Sequence, residues 1–122
     1  YEKGRGVAQD YQQAIAWWQK AANKRQAKAQ FNLGVMYEKG WGVKQNDQQA
    51  VAWYQKAANQ GFAMAQYNLG LMYANGRGVA QDYQQAKAWW QKALAQPDTK
   101  ADAEAKALAR ENLQKLRKMG IR

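Results

Sequence analysis

Two glycine-flanked arginines have residue types that could bind phosphate. Gly4-Arg5-Gly6 and Gly76-Arg77-Gly78 place a cation among flexible backbone amides, as phosphate-binding loops do. Such a loop follows a β-strand, and no strand-like segment precedes these copies. The same pair of glycines occurs a third time, at Gly40 and Gly42. The spacing therefore predicts turns that join two helices rather than a phosphate site.

The nine carboxylates are the remaining candidates for general acid–base chemistry. Six of them suit helix starts, as N-caps or in first turns where negative charge complements the helix dipole: Asp10, Asp82 and Asp98 as caps, and Asp47, Asp102 and Glu104 in first turns. Glu2 and Glu38 lie one repeat apart and form no unique pair, and Glu111 lies in a basic helix. Histidine and cysteine are absent. The sequence therefore predicts no catalytic residue, no metal ligands and no cofactor, and hence not an enzyme.

One face of the predicted first helices has the character of a binding surface. At about 100° per residue, a set of side chains points away from the core stripe of Ala29, Leu33 and Tyr37, and the set recurs one repeat later. The two sets are Lys28, Phe31, Asn32 and Val35, then Met64, Tyr67, Asn68 and Leu71. Exposed apolar groups beside asparagine are typical of a binding groove, in which the amides can pair with a ligand's backbone. The alternative for Phe31 and Tyr67 is packing between adjacent repeats.

A basic C-terminal segment suggests a second kind of site. The net charge is +10, and residues 106–122 contain six basic residues against one acidic residue. Lys106, Arg110 and Arg117 lie within about 40° of one another on a helix. This stripe would suit nucleic acid or an anionic cell-envelope surface. A solvated face of a terminal helix is the favoured interpretation, so we expect a protein or peptide as the partner rather than nucleic acid.

Aromatic residues recur along the chain with the same step as the turns. Trp17, Trp53 and Trp89 form one series, and Tyr1, Tyr37 and Tyr73 form another. Such series could stack nucleic-acid bases. They fall on the apolar faces of the predicted helices, so core packing is the expected role.

These positions belong to an internal repeat of 36 residues. Leu33-Gly34 recurs as Leu69-Gly70, and no insertion breaks the register between residues 1 and about 95. Each unit reads as two helices, the first over 27–37 and ending at Gly40, the second capped by Asn46. Gly34 inside the first helix is tolerable if a neighbouring helix approaches closely there.

The C-terminal segment departs from the repeat. A helix capped by Asp98 or Thr99 and stopped by Gly120 has a narrow apolar stripe, as a cap on an array requires: Ala101, Ala105, Leu108, Ala109, Asn112, Leu116 and Met119. The expected organisation is a partial repeat with only its second helix (1–25), two full repeats (26–61 and 62–97) and a capping helix with a basic tail (98–122).

The repeated motif resembles that of a known family. Ala-x-x-x-Leu-Gly-x-x-Tyr-x-x-Gly-x-Gly-Val, followed by Asp/Asn-x-x-x-Ala-x-x-Trp-x-x-Lys-Ala-Ala, is similar to the Sel-one-like repeat (SLR), a relative of the tetratricopeptide repeat. It occurs over 29–43 and 46–58, and again over 65–79 and 82–93. The resemblance implies an all-α, right-handed α/α solenoid with first helices lining its concave face, and adaptor or scaffold work in assembling other proteins.

Location and self-association follow as further expectations. Many bacterial members of the family are exported, which implies a periplasmic or secreted protein and leaves a cytoplasmic one open. No signal peptide is present at Tyr1, and no apolar run approaches the roughly 18–20 residues of a membrane span. The helix that should precede Tyr1 is missing, so we expect Trp17 and Trp18 at that edge to drive self-association.

Overall fold

The computed structural model describes residues 26–96 and 100–121, and in the last helix it describes side chains from residue 103 onward. These residues form five α-helices and, within the described ranges, no strand. The helices are α1 (Ala27–Lys39), α2 (Asp47–Asn59), α3 (Ala63–Asn75), α4 (Tyr83–Leu94) and α5 (Lys100–Lys118). The expected partial repeat over 1–25, with its self-associating edge, lies outside the described residues.

The ends of the helices are set by the residue types expected there. The Asn46 side chain accepts a hydrogen bond from the Gln49 N–H at 3.1 Å and caps α2, and Asp82 caps α4 in the same way. Gly40 and Gly76 end α1 and α3 in the left-handed region, with φ of 71° and 65°. A side chain rarely adopts this conformation, and glycine adopts it freely. The predicted caps at Asn46 and Asp82 are confirmed, whereas Asp98 and Thr99 lie outside the described residues.

Successive helices pack against one another to give an all-α solenoid. α1 packs on α2 and α3 packs on α4, while α2 against α3 joins the two pairs. The final helix, α5, packs on both α3 and α4. None of the described helices has the length and apolar content needed to cross a membrane.

Close approach between helices depends on a glycine within each first helix. Gly34 is buried, and a Cβ built there would lie 2.6 Å from the Tyr54 ring. At the corresponding position in α3, a Cβ on Gly70 would overlap the Trp90 indole. The expectation that a neighbouring helix approaches at Gly34 is therefore confirmed.

The innermost aromatic residues are not those of the predicted tryptophan series. Tyr54 is fully buried and Trp90 is 2% exposed, whereas Trp53 is only half-buried and has Lys56 Nζ 4.4 Å from its ring centroid. Trp53 packs instead at the edge of a separate cluster formed by Ala29, Leu33 and Met36. In α4, Trp89 is buried as expected, with Lys92 at the same 4.4 Å.

The last helix uses most of its predicted apolar stripe. Ala105, Ala109 and Leu116 are buried, and the Asn112 amide donates to the Tyr67 hydroxyl at 3.3 Å. The prediction was wrong at Met119, which is 58% exposed. The helix ends at Lys118, so the helical periodicity that placed Met119 on the stripe no longer applies there.

Candidate partner-binding cleft

The structure places the predicted binding face along α1 and α3. Lys28 is exposed, and the other seven side chains are half-buried: Phe31, Asn32, Val35, Met64, Tyr67, Asn68 and Leu71. Half-burial is what a groove lining requires, because such side chains are held in place and still offer surface. The role of each of these side chains therefore depends on what it already contacts.

The two aromatic residues of this face pack between helices. The Phe31 ring centroid lies 5.8 Å from that of Tyr54 and 5.3 Å from that of Phe62. The Tyr67 ring lies 6.4 Å from that of Trp90. All three centroid distances, and the tilts between the rings, are those of aromatic packing contacts. Of the two roles considered for these side chains, the contacts favour packing between repeats.

Three of the predicted residues meet in one cleft of about 200 Å³. Val35, Asn68 and Leu71 line it together with residues that the sequence did not single out as a binding surface, namely Glu38, Lys39, Tyr54, Met72, Asn75 and Arg77. The other five predicted residues do not line this cleft, namely Lys28, Phe31, Asn32, Met64 and Tyr67. The cleft thus has apolar walls from both first helices, amides from α3 and charged groups at one end.

An ion-paired arginine closes the charged end of the cleft. One terminal nitrogen of Arg77, Nη1, donates to Glu38 Oε2 at 3.0 Å, and the other, Nη2, donates to Asp47 Oδ1 at 3.0 Å. Arg77 Nε also donates to Asp47 Oδ2 at 3.3 Å. These contacts raise the pKa of the Arg77 guanidinium above its usual value, with the Asp47 hydrogen bonds as the main cause. Arg77 therefore links the turn after α3 to α1 and to the first turn of α2.

Tyr54 connects this ion pair to the cleft floor. Its hydroxyl donates to Glu38 Oε1 at 2.6 Å. Burial, reinforced by the neighbouring Glu38 carboxylate, raises the pKa of the Tyr54 phenol far above its usual value, and a hydrogen bond with Asn68 lowers it by less. The phenol consequently remains protonated and holds Glu38 in one orientation.

These charged residues could not be found from spacing within one repeat. The sequence predicts only a turn at Arg77, and it gives Glu38 no unique role because Glu2 lies one repeat before it. The turn prediction is confirmed, since Gly76 and Gly78 both have positive φ. A sequence signal was available: between the two full repeats, the counterparts of Arg77, Glu38 and Asp47 are the uncharged residues Trp41, Ala74 and Tyr83.

The arrangement does not resemble an acid–base centre. Glu38 and Asp47 are neutralised by the same guanidinium, so neither is a free base. Across residues 26–96 and 100–121, no three histidine, cysteine or carboxylate side chains come together in a way that would hold a metal ion. The cleft offers hydrogen bonding, apolar contact and charge, which are means by which a protein surface binds a ligand.

The alternative basic stripe does not stay together as a free surface. Lys106 Nζ donates to the Gln96 carbonyl oxygen at 2.9 Å, which anchors it against the end of α4. Arg110 and Arg117 are exposed. Arg117 lines a different hollow, between α4 and α5. The three side chains therefore lie in different environments and do not form one continuous basic surface.

Comparison with known proteins relates the whole arrangement to one repeat type. The Sel1 repeat model matches residues 1–25, 27–62 and 63–98. The crystal structure of a Sel1 repeat protein from Oxalobacter formigenes is 41% identical, with a TM-score of 0.69, over 77% of this chain and 39% of that one. No curated protein gave a match.

A second solved structure is similar to the same degree. It is c5321, described as a protective antigen present in uropathogenic Escherichia coli strains and displaying an SLR fold. It is 40% identical, with a TM-score of 0.69, over 83% of this chain and 22% of that chain. The present chain thus spans well under half the length of either relative.

Proposed function

Because the chain belongs to the Sel1 repeat family, whose repeats generally form protein-interaction scaffolds, we propose that it is a non-enzymatic module that binds a peptide segment of another protein. The proposed site is the cleft between α1 and α3. The observation that carries the proposal is a set of half-buried apolar side chains next to an amide without a partner. Val35 and Leu71 are half-buried, and the Asn75 amide lines the same cleft, is exposed and makes no hydrogen bond within the described part of the chain.

The cleft suits an extended peptide with one apolar side chain. That side chain would lie between Val35 and Leu71. Burial of apolar surface there would stabilise the complex by about 25 cal/mol per Å². The Asn75 amide can both donate to and accept from a peptide backbone. Asn68 lines the same cleft, and its amide can likewise donate and accept hydrogen bonds.

The ion-paired arginine supports the proposal by holding the cleft in shape. Arg77, Glu38 and Asp47 join three segments that form its walls. A cleft that is already ordered loses less conformational entropy when a ligand binds. The surface is therefore suited to recognition without prior rearrangement.

The experiment uses peptides selected by the folded chain itself. A displayed random peptide library is panned on the wild-type protein, and the affinities of selected peptides are measured by fluorescence polarisation. We expect Asn75→Ala to weaken binding by about tenfold, the effect of losing one hydrogen bond of about 1.4 kcal/mol. Asn68→Ala is expected to act in the same direction. Gln48→Ala on the exposed surface of α2 is the matched control and should leave affinity unchanged.

Salt dependence and variant profiles distinguish this proposal from charge-driven binding. Affinity in an apolar cleft changes little with salt, whereas contacts with phosphates weaken steeply. The proposal would be contradicted if the selected peptides bound Asn75→Ala, Asn68→Ala and Val35→Ser with the same affinity as the wild-type protein. Binding would then lie outside the cleft. Circular dichroism melting of each variant confirms that a loss of affinity is not a loss of fold.

We also propose that the protein acts outside the cytoplasm of a bacterium. The two solved relatives are bacterial, and one is described as a protective antigen. Export is common in the family that the sequence resembles. Fractionation of the native bacterium with an antibody to this chain tests the location, and recovery only with cytoplasmic markers would contradict it.

A further inference from the structure

A second hollow lies between α4 and α5, away from the cleft between α1 and α3. It has a volume of about 320 Å³ and an apolar floor with a polar and basic rim. Its lining residues are Lys87, Gln91, Leu113, Leu116, Arg117 and Ile121. Leu116 is 4% exposed, and Leu113 and Ile121 are half-buried against the same core cluster. A further hollow of about 250 Å³, lined by Gln114, Arg117 and Lys118, adjoins it through Arg117.

The charge on this rim is unbalanced. Lys87 and Arg117 are the two ionisable side chains among its described lining residues, and the ion pairs of the described residues include neither of them. Among the described residues, no acidic side chain lines either hollow. Since Arg117 and Lys118 lie in the last turn of α5, the helix dipole accounts for part of this pattern. It does not account for Lys87, which lies in the middle of α4 and faces the same hollow.

The hollow also differs from the contacts that join repeats in this chain. Where the first full repeat meets the second, the charged residue Arg77 is neutralised by two carboxylates. Phe31 of α1 packs against Phe62 at the start of α3 in the same junction, with ring centroids 5.3 Å apart. A surface made to receive another repeat of this kind would not leave two unpaired cations. The net charge of +10 likewise disfavours a second copy of the chain as the occupant.

We propose that this hollow, the α4–α5 groove, is a separate docking site for an acidic segment of a partner protein that carries an apolar anchor residue. The anchor lies on Leu113, Leu116 and Ile121. Carboxylates on either side of it pair with Lys87 and Arg117, which form no ion pair with the described part of the chain. A nucleic-acid or lipid surface would use the charges and leave the apolar floor without a role, so an acidic peptide fits more of the lining.

The test uses defined probes and single charge reversals. The main probe is a fluorescein-labelled synthetic amphipathic helix with glutamate on one face and leucine on the other. A copy with every glutamate changed to glutamine and a copy with every leucine changed to serine are its controls. Binding is measured by fluorescence polarisation to the wild-type chain, to Lys87→Glu, to Arg117→Glu and to Ile121→Ser. Lys44→Glu, on the exposed turn before α2, changes the net charge by the same amount outside the groove.

We expect the acidic amphipathic probe to bind and both altered probes to bind at least about tenfold more weakly. Arg117→Glu and Lys87→Glu should each reduce affinity by about tenfold or more, and Ile121→Ser by several-fold, while Lys44→Glu has little effect. Asn75→Ala should leave this binding intact, so that failure of one site is distinguishable from failure of the other. Melting temperatures of the variants identify any loss of fold.

Three results would overturn the inference. Equal losses of probe affinity for Arg117→Glu and Lys44→Glu would show that binding depends on the overall positive charge of the chain and not on the groove. Tighter, Arg117-dependent binding of an oligothymidylate or of phosphatidylglycerol vesicles, with no effect of Ile121→Ser, would show a phosphate-binding surface. Concentration-dependent self-association in sedimentation that Arg117→Glu abolishes would show that a second copy occupies the groove.

Discussion

Gly34 and Tyr54 show how a single position controls the spacing of two helices. The ring of Tyr54 occupies the space where any other residue at position 34 would place its Cβ. The same relation holds between Gly70 and Trp90. A glycine inside a helix costs about 0.5–1 kcal/mol relative to alanine, and here close packing of a fully buried aromatic ring offsets that cost.

Replacement of this glycine gives the first prediction. Gly34→Ala should lower the free energy of unfolding by about 1–3 kcal/mol, because overpacking against Tyr54 outweighs the gain in helix propensity. Urea unfolding measures the change. In a Tyr54→Leu background the same substitution should cost much less, and equal costs in both backgrounds would show that the ring is not the obstacle.

The protonated phenol of Tyr54 gives a prediction about alkaline pH. Burial raises the pKa of Tyr54 in the folded chain, whereas in the unfolded chain it is about 10. Above pH about 10 the unfolded state therefore loses a proton that the folded state keeps, and the free energy of unfolding falls as pH rises. Tyr54→Phe should remove this part of the fall. Parallel denaturation curves at increasing pH measure it, and identical slopes for wild type and Tyr54→Phe would contradict the assignment.

At the scale of elements, the junction between α2 and the turn after α3 combines helix packing with directional ion pairs. Packing of the helices alone would bring α1, α2 and α3 together. Arg77 adds directional bonds to Glu38 and Asp47, which orient the turn on the end of α2. The ion pairs are partly solvated, since the Arg77 side chain is 38% exposed. These ion pairs therefore contribute more to the orientation of the turn than to the free energy of unfolding.

A double-mutant cycle tests this view of the junction. Arg77→Ala, Asp47→Ala and the double variant should give a coupling energy of about 0.5–1 kcal/mol, reduced in high salt, as expected for solvated ion pairs. Chemical denaturation at two salt concentrations provides the values. A coupling of several kcal/mol, independent of salt, would instead indicate a desolvated pair and a main role in stability.

At the scale of the whole molecule, α5 completes the apolar surface that α3 and α4 leave open. Its buried residues Ala109 and Leu116 belong to the same core cluster as Trp90. Tyr67 packs against this cluster and accepts a hydrogen bond from Asn112. Without α5, these large side chains would face water, and contiguous apolar surface of this kind promotes association.

Truncation tests that role. A chain that ends before Asp98 should lose solubility before it loses helicity, because α1 to α4 keep their own helix contacts while the Trp90 region is uncovered. Sedimentation velocity and far-UV circular dichroism on the same samples separate the two effects. If the truncated chain remains monomeric and as stable as the parent, α5 is an appended segment and not part of the core.

The 36-residue step, the two-helix unit, Gly34 as a point of close approach and the caps at Asn46 and Asp82 could all be predicted from the amino-acid sequence. These features depend on interactions between residues close in the chain, or on periodicity within one helix. The face of α1 and α3 was also predictable, since helical geometry determines which side chains point away from the core stripe.

Only the tertiary structure decided how that face is used. Phe31 and Tyr67 pack between helices, whereas Val35, Asn68 and Leu71 line a cleft together with Arg77. The Arg77 contacts join residues 30 and 39 positions apart, and Lys87 and Arg117 line the same groove although they lie on different helices. Such contacts depend on how successive helices are rotated and stacked, and this follows from the packing of many side chains at once rather than from any local pattern.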